Sequence, residues 1–150
     1  MVDRHGPMRT GRFVVEIDDV RVEGWQKVDL PNSTTSESSY REGDEPEWEK
    51  KIWGGTSFTD LVMKRGVQPG DTRLFDWRED IRMGKIDEGR KEVSVIVMDE
   101  EGEPQIRWNF EGAWIKEYDS PTLDASAVGE STFATETIKV AYDKFYREDE

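Results

Sequence analysis

The chain has no cysteine and a single histidine among its 150 residues. The lack of cysteine excludes disulfides and thiolate metal sites. The one imidazole, His5, lies in a terminal segment, so a Ser-His-Asp arrangement has no base and a metal has no imidazole ligand in the folded part. We therefore expect no catalytic residue, no metal site and no cofactor.

Long apolar runs are absent as well. No segment approaches the length that spans a membrane, and no signal-peptide-like apolar run follows Arg4, His5 and Arg9. We expect no Sec-type export and no membrane partner.

Basic side chains are in the minority, with 21 Lys and Arg against 34 Asp and Glu, a formal net charge of -13. This balance disfavours binding to nucleic acid phosphates and to anionic membranes. A large acidic excess is also typical of proteins adapted to high salt, where the repulsion between carboxylates is screened. Composition leaves halophilic adaptation and an ordinary acidic surface both open.

Aromatic residues, in contrast, are plentiful: six Trp, six Phe and four Tyr supply the large apolar groups of a folded core. The length fits one domain. We therefore predict a single domain over residues 1–150 with a mobile N terminus over residues 1–10.

Strand-like alternation dominates the apolar pattern. Phe13, Val15 and Ile17 share one face of a strand predicted over residues 12–18, and Gly24 marks a kink in the next strand, predicted over residues 20–30. Further strands are predicted over residues 58–65, 92–99, 105–110, 112–118 and 131–142, with a turn at 99–102. About seven antiparallel strands in two packed sheets indicate a mainly β fold, a small barrel flanked by one helix.

The predicted helix covers residues 72–83. Leu74, Trp77 and Ile81 fall at helical spacing, so we expect them to anchor the helix to the barrel. Asp71 or Thr72 can cap its start, and Gly84 ends it.

Residues 31–56 have a different character, because Ser and Thr crowd positions 33–39 and acids crowd positions 42–49. We predict a long exposed loop here. It carries large aromatic residues, among them Trp48 and Trp53, which a partner surface covers or which fold back on the domain itself.

Eight motifs occur in order along the chain: RFVVEID at 12–18, YREG at 40–43, MKRGV at 63–67, FDW with DIR at 75–82, VMDEEG at 97–102, RWNF at 107–110, AW at 113–114 and LDAS at 123–126. Their joint order resembles that of the inner tube proteins of contractile phage tails and contractile injection systems. The resemblance covers most of the chain.

This resemblance implies a structural role. Subunits of this family form hexameric rings whose strands join edge to edge, and the rings stack into a hollow tube inside a contractile sheath. The implied partners are further copies of the chain, the sheath protein, a baseplate tube initiator and a tape-measure protein. DNA or effector cargo would pass through the channel without specific binding, helped by a negative channel wall. The subunit would assemble in the cytoplasm and reside in a virion tail or injection particle.

The resemblance also assigns residues to these contacts. The stacking loop would use Tyr40, Arg41, Glu42, Trp48 and Trp53, and the strands between subunits would use Phe58, Val62, Lys64, Ile96 and Met98. Whether the particle is a phage tail or a cell-encoded injection system stays open.

Two other classes of function remain as alternatives. A monomeric β-barrel that binds carbohydrate or another ligand would use Trp25, Trp48 and Trp53 as stacking platforms. A small acid-base enzyme would need carboxylate pairs such as Asp18-Asp19, but turn positions do not bury a carboxylate enough to raise its pKa.

Overall fold

A computed structural model of the chain describes residues 7–9, 11–40 and 50–149. The predictions made for Arg41, Glu42 and Trp48, and for most of the N-terminal segment 1–10, lie outside these residues. The described residues form ten strands, two short α-helices and one 3-10 turn. The strands are β1 Phe13–Ile17, β2 Val20–Val22, β3 Trp25–Asp29, β4 Ser33–Tyr40, β5 Lys50–Phe58, β6 Leu61–Gly66, β7 Lys91–Met98, β8 Pro104–Asp119, β9 Thr135–Ala141 and β10 Lys144–Asp149. The α-helices are α1 Arg73–Arg82 and α2 Ile86–Gly89, and the 3-10 turn covers Gly129–Thr132.

The strands other than β4 and β5 pair in the order β2-β1-β7-β8-β9-β6-β3, and β10 pairs with β8. All of these pairs are antiparallel. The long strand β8 belongs to two groups, because its first half pairs with β7 and β10 and its second half pairs with β9. We call β2, β1, β7, the first half of β8 and β10 the first sheet, and the second half of β8, β9, β6 and β3 the second sheet.

A glycine allows β8 to pass from one sheet to the other. Gly112 has a positive φ of 64°, and a Cβ at this position would collide with the carboxylate of Asp143. On the partner side, β9 ends and β10 begins around Asp143, whose backbone N–H donates to the Glu111 carbonyl at 2.9 Å. The segment β9–β10 therefore passes from the second sheet to the first at the same level as β8.

The core lies between the two sheets. The first sheet contributes Val15, Val93, Val95 and Phe110, all at most 2% exposed. The second sheet faces them with a further set of fully buried side chains, namely Leu61, Met63, Ile115, Ile138 and Val140. These are the inward positions of alternating strands, as the sequence pattern predicts.

Closure of the predicted barrel is not found among the described strands. The path of paired strands runs from β2 to β3, with β10 as a branch on β8, and no pairing within the described part of the chain joins β2 to β3. Residues 20–30, predicted as one kinked strand, are two strands that separate at Glu23-Gly24 and join different sheets. Because Gly24 has a φ of 90°, the chain leaves the first sheet here instead of continuing along it.

The predicted loop over residues 31–56 is also wrong for the positions that the structure describes. Strands β4 and β5 form an antiparallel hairpin, and Phe58 ends β5 instead of beginning the next strand. The hydroxyl oxygens of Thr35 and Thr56 lie 2.8 Å apart across the hairpin. The segment is polar because the described positions 33–39 and 51–58 are exposed to solvent on both faces.

The predicted helix is present as α1, and the short helix α2, which the sequence pattern did not indicate, follows it. Leu74 and Trp77 of α1 are buried, and Ile81 is half-buried. Trp77 Nε1 donates to the carbonyl oxygen of Gly89 at 2.6 Å. This bond connects α1 to the end of α2, directly before β7 begins.

Candidate assembly surfaces

The hairpin of β4 and β5 projects from the two sheets. Its strands pair with each other, and none of the other described strands extends it. At its base, a 3.0 Å hydrogen bond joins the backbones of Asn32 and Thr59. The base contacts the body through the Tyr142 hydroxyl, which donates to the Thr59 carbonyl at 2.8 Å, and through the ring of Phe58, 6.3 Å from that of Phe145. A two-stranded hairpin by itself is marginally stable in water, so a further surface is needed to hold it.

Trp53 on this hairpin is 85% exposed, against 53% for Phe58 at the base. It lies opposite Glu37 on β4, and Ile52 beside it is 52% exposed. The alternative in which Trp53 folds back onto its own domain is therefore wrong. An indole in this position has its apolar surface available for a partner.

The three tryptophans of the ligand-binding alternative do not form one platform among the described residues. Trp25 is half-buried on β3, with the guanidinium of Arg65 5.7 Å from its ring, whereas Trp53 lies on the projecting hairpin. Trp48 lies outside the described residues.

The second sheet ends in two unpaired edges, β3 on one side and the second half of β8 on the other. Each of its strands is antiparallel to the next, so these two edge strands run in opposite directions. Unpaired edges of this kind are available to pair with another chain.

The face of the second sheet that points away from the core is polar and balanced in charge. Ion pairs join Lys27 to Asp29 at 3.7 Å, Lys116 to Asp60 at 3.2 Å and Lys139 to Glu117 at 3.1 Å. Val62 and Lys64, predicted to lie between subunits, also belong to this face and are half-buried. The acidic excess of the chain is therefore carried by other surfaces.

The remaining residues predicted for contacts between subunits lie elsewhere. Ile96 and Met98 are on β7 of the first sheet, away from Val62 and Lys64. Ile96 is only 3% exposed within one subunit and offers almost no surface to a neighbour. Phe58 is at the base of the hairpin, 53% exposed.

Helix α1 lies alongside the second half of β8. The ring of Phe75 is 5.9 Å from that of Tyr118 in an edge-to-face contact, and Arg78 Nη1 donates to the Ile115 carbonyl at 3.2 Å. Glu79 and Arg82 continue the same side of the helix and pair at 2.7 Å, which holds the pKa of Glu79 below its ordinary value. We call Phe75, Arg78, Glu79 and Arg82 the β8 side of α1.

A buried charged network fixes this arrangement. Arg65 is fully buried on β6, and its Nε donates to Glu136 Oε1 at 2.8 Å while its Nη1 donates to Asp71 Oδ2 at 3.1 Å. Tyr118 donates its hydroxyl to the other oxygen of Glu136 at 2.6 Å. The network thus joins β6, β9 and β8 to the residues directly before α1, and holds the helix at the edge of the second sheet.

The surroundings of the network change two pKa values. Burial, together with the hydrogen bond to Glu136, raises the pKa of Tyr118 to about 12. Burial acts against ionisation of Asp71, yet hydrogen bonds from the Arg73 backbone and from Arg65 hold the pKa of Asp71 below its usual value. Both groups therefore keep their roles at neutral pH, Tyr118 as a donor and Asp71 as an acceptor.

The sequence analysis did not predict this network, although the sequence contains one indication of it. Leu61, Met63 and Arg65 alternate along β6, so Arg65 occupies an inward position. A charged residue at such a position requires a partner, and here it is Glu136.

Within the described residues, no group of three or more His, Cys, Asp or Glu side chains is arranged to hold a metal ion. None of the helices described is long and apolar enough to cross a membrane.

The fold is one that solved contractile injection systems share. A chain of the PVC sheath–tube complex, an extracellular contractile injection system in its extended state, superposes with a TM-score of 0.82 at 24% identity, covering 97% of this chain and 93% of that chain. A chain of the cap that terminates the anti-feeding prophage tube gives 0.83 at 21% identity, covering 100% and 96%. Hcp1 from Flavobacterium johnsoniae is more distant, with a TM-score of 0.55 at 16% identity, covering 93% and 96%.

The sequence itself identifies the family. The model of the family described as T4-like virus tail tube protein gp19 matches residues 9–146, and the chain belongs to this family. The resemblance drawn from the sequence motifs is thereby confirmed. A comparison with curated protein sequences found no match.

Proposed function

We propose that this chain forms hexameric rings that stack into the hollow inner tube of a contractile tail or injection machine, a conduit for DNA or effector cargo. Membership of a tail tube family supports this role. The observation that carries it is the pair of opposite, unpaired edges on the second sheet.

The ring follows from the direction of the two edge strands. When copies are related by rotation about one axis, β3 of each copy lies beside the second half of β8 of the next. Because the two strands run in opposite directions, the new pair is antiparallel, like every other pair in the sheet. A closed ring pairs both edges of the second sheet. The balanced charge of the outer face of this sheet allows copies of a chain with a net charge of -13 to meet there.

Engineered disulfides test this pairing, since the natural chain has no cysteine. Lys27 on β3 and Glu117 on β8 point to the same face of the second sheet, so a protein with Lys27→Cys and Glu117→Cys should form disulfides between copies. We expect a ladder of cross-linked species that ends at the closed ring on a non-reducing gel. A control protein pairs Lys27→Cys with Glu148→Cys, an exposed position on β10 of the first sheet. Equal cross-linking of the two proteins would contradict the proposed ring.

Stacking of the rings is assigned to the hairpin of β4 and β5. It projects from the body, its strands have no other partner among the described strands, and its exposed Trp53 and Ile52 provide an apolar contact. Arg41, Glu42 and Trp48, which lie outside the described residues, are also assigned to stacking by the family resemblance.

Replacing Trp53 with alanine should therefore weaken stacking and leave the subunit folded. Trp53 makes little contact within its own subunit, so the melting temperature should change little, whereas tubes in electron micrographs should be shorter and fewer. Met83→Ala is the matched control, because Met83 is a large apolar residue that is likewise exposed, at 66%, but lies at the end of α1. Tubes of unchanged length would show that Trp53 is not a stacking contact.

In this arrangement, the outer face of the second sheet lines the channel. Its lysines and carboxylates pair with each other, as in Lys139 with Glu117, so the wall holds no dense charge of one sign. Cargo would pass without specific binding because the wall is balanced, and not because it is strongly negative. The sheath, a baseplate initiator and a tape-measure protein complete the proposed particle. The subunit would be incorporated into this particle in the cytoplasm.

A further inference from the structure

We propose that Phe75 on the β8 side of α1 packs into an apolar cleft of the neighbouring copy in the ring. This inference rests on the ring proposed above and assigns the second half of the contact, on the core side of the joined strands.

The cleft is the open side of the fold. It has a volume of about 310 Å³ and lies between β3 of the second sheet and strands β1, β7 and β8 of the first. Its apolar lining includes Met8, Phe13, Val28, Leu30, Val97 and Trp108. Among the described strands, β3 pairs only with β6, so its other side is open and part of the core surface reaches solvent beside it.

The side chain proposed to enter the cleft is that of Phe75, at the opposite edge of the second sheet, and we call it the knob. It is 49% exposed, although its ring contacts Tyr118 at 5.9 Å. Tyr118 packs against the core, which places Phe75 on the core side of β8. The cleft is likewise on the core side of β3, since Val28 pairs with the buried Met63 and packs against the core.

Joining the two edges brings knob and cleft together. If β8 of one copy lies beside β3 of the next, α1 also lies beside that β3, because Arg78 and Phe75 hold the helix along β8. The β8 side of α1 then faces the open cleft on the same side of the joined sheet. The lone exposed aromatic ring of this helix and the apolar lining of the cleft are removed from water in the same contact.

The charges on both surfaces permit this contact. Lys27 lies at the rim of the cleft and is paired with Asp29 of the outer face, and the β8 side of α1 carries the Glu79–Arg82 pair. Neither surface adds to the repulsion expected between copies of a chain with a net charge of -13. The other side of α1 carries Asp76 and Asp80, beside Arg73 and Lys91. Lys85 pairs with Asp80 at 3.9 Å and Lys91 pairs with Asp18 at 3.6 Å, so charge does not distinguish the two sides. The β8 side is the one assigned to the neighbour because it carries Phe75 and lies along the edge strand.

The first experiment is a disulfide between the knob and the cleft. A protein with Phe75→Cys and Leu30→Cys should form cross-links between copies, at concentrations where the Lys27→Cys and Glu117→Cys protein also does so. The matched control combines Leu30→Cys with Met83→Cys, which is exposed on the same helix but beyond the β8 side. We expect the control to cross-link at least about tenfold less.

The second experiment measures assembly directly. Phe75→Ser should raise the concentration at which rings form by about tenfold or more, and Phe75→Leu should restore most of the loss by replacing the apolar contact. The melting temperature of the dilute subunit shows whether Phe75→Ser still folds, and the disulfide experiment does not depend on that variant.

The outcomes separate the two proposals. If the Lys27–Glu117 disulfides form but the Phe75–Leu30 pair does not exceed its control, the knob-and-cleft contact is wrong and the ring stands. If neither pair cross-links and no rings are seen, the ring and this inference both fail. Cross-linking of both pairs with weakened rings in Phe75→Ser supports the inference.

Discussion

Glu136→Ala is expected to lower the free energy of unfolding by about 3–5 kcal/mol. The variant removes the carboxylate that accepts hydrogen bonds from both Arg65 and Tyr118, and leaves the fully buried Arg65 guanidinium without its main partner. A buried charge that loses its partner retains the full cost of its removal from water. Urea unfolding followed by tryptophan fluorescence would measure the change.

Two variants show whether burial of the pair is the cause. Glu117→Ala removes an exposed carboxylate from its 3.1 Å pair with Lys139 and should leave the urea midpoint almost unchanged. The double variant Arg65→Met with Glu136→Leu removes both charges and should recover much of the loss, since apolar groups of similar volume often replace a buried pair without penalty. If Glu136→Ala is no more damaging than Glu117→Ala, Arg65 is not held as described.

Trp77→Ala should cost about 3–5 kcal/mol as well, for a different reason. Trp77 is 3% exposed and fills the space between α1 and the core, so alanine leaves a cavity there. The variant also removes the donor to the Gly89 carbonyl, the bond that connects α1 to the segment before β7. Thermal unfolding monitored by circular dichroism would report the loss as a lower melting temperature.

Trp77→Phe separates the two contributions. Phenylalanine keeps most of the buried ring and loses the hydrogen bond, which is worth about 1 kcal/mol, so the variant should be distinctly more stable than Trp77→Ala. Met83→Ala, at the exposed end of the helix, should have little effect. A melting temperature that does not move in Trp77→Ala would mean that the wrong face of α1 is assigned to the core.

Strands β1 and β7 of the first sheet and helix α1 were predictable because their signals are local. Alternation of Phe13, Val15 and Ile17, and of Val93, Val95 and Val97, predicts strands with one buried face, and the structure buries that face. Helical spacing of Leu74 and Trp77 similarly predicted which side of α1 is buried. Such patterns need no knowledge of the partner strand.

The hairpin of β4 and β5 was missed because neither of its described faces is buried. Period-two alternation of polar and apolar residues arises when one face of a strand is covered, and Ser33–Tyr40 carries only polar residues before its last position. The lack of barrel closure was missed for another reason. Whether β2 and β3 meet depends on contacts between distant parts of the chain, which local patterns do not contain.

The Arg65 network combines a local signal that the sequence contains with a distant contact that it does not. The inward position of Arg65 can be read from β6, but its partner Glu136 lies 71 residues further along the chain. Nothing in the sequence near either residue indicates that they meet. The hydrogen bond that Tyr118 donates to Glu136 depends in turn on the bent path of β8.

Negative-stain electron microscopy of the concentrated protein, in low and in molar salt, tests the central claim most directly, with mass measurement on the same samples. We predict six-membered rings and hollow tubes, formed more readily at high salt because salt screens the repulsion between acidic subunits. A protein that stays monomeric in every condition, including after the addition of a baseplate preparation to nucleate assembly, would contradict the account of this chain as a tube-forming subunit.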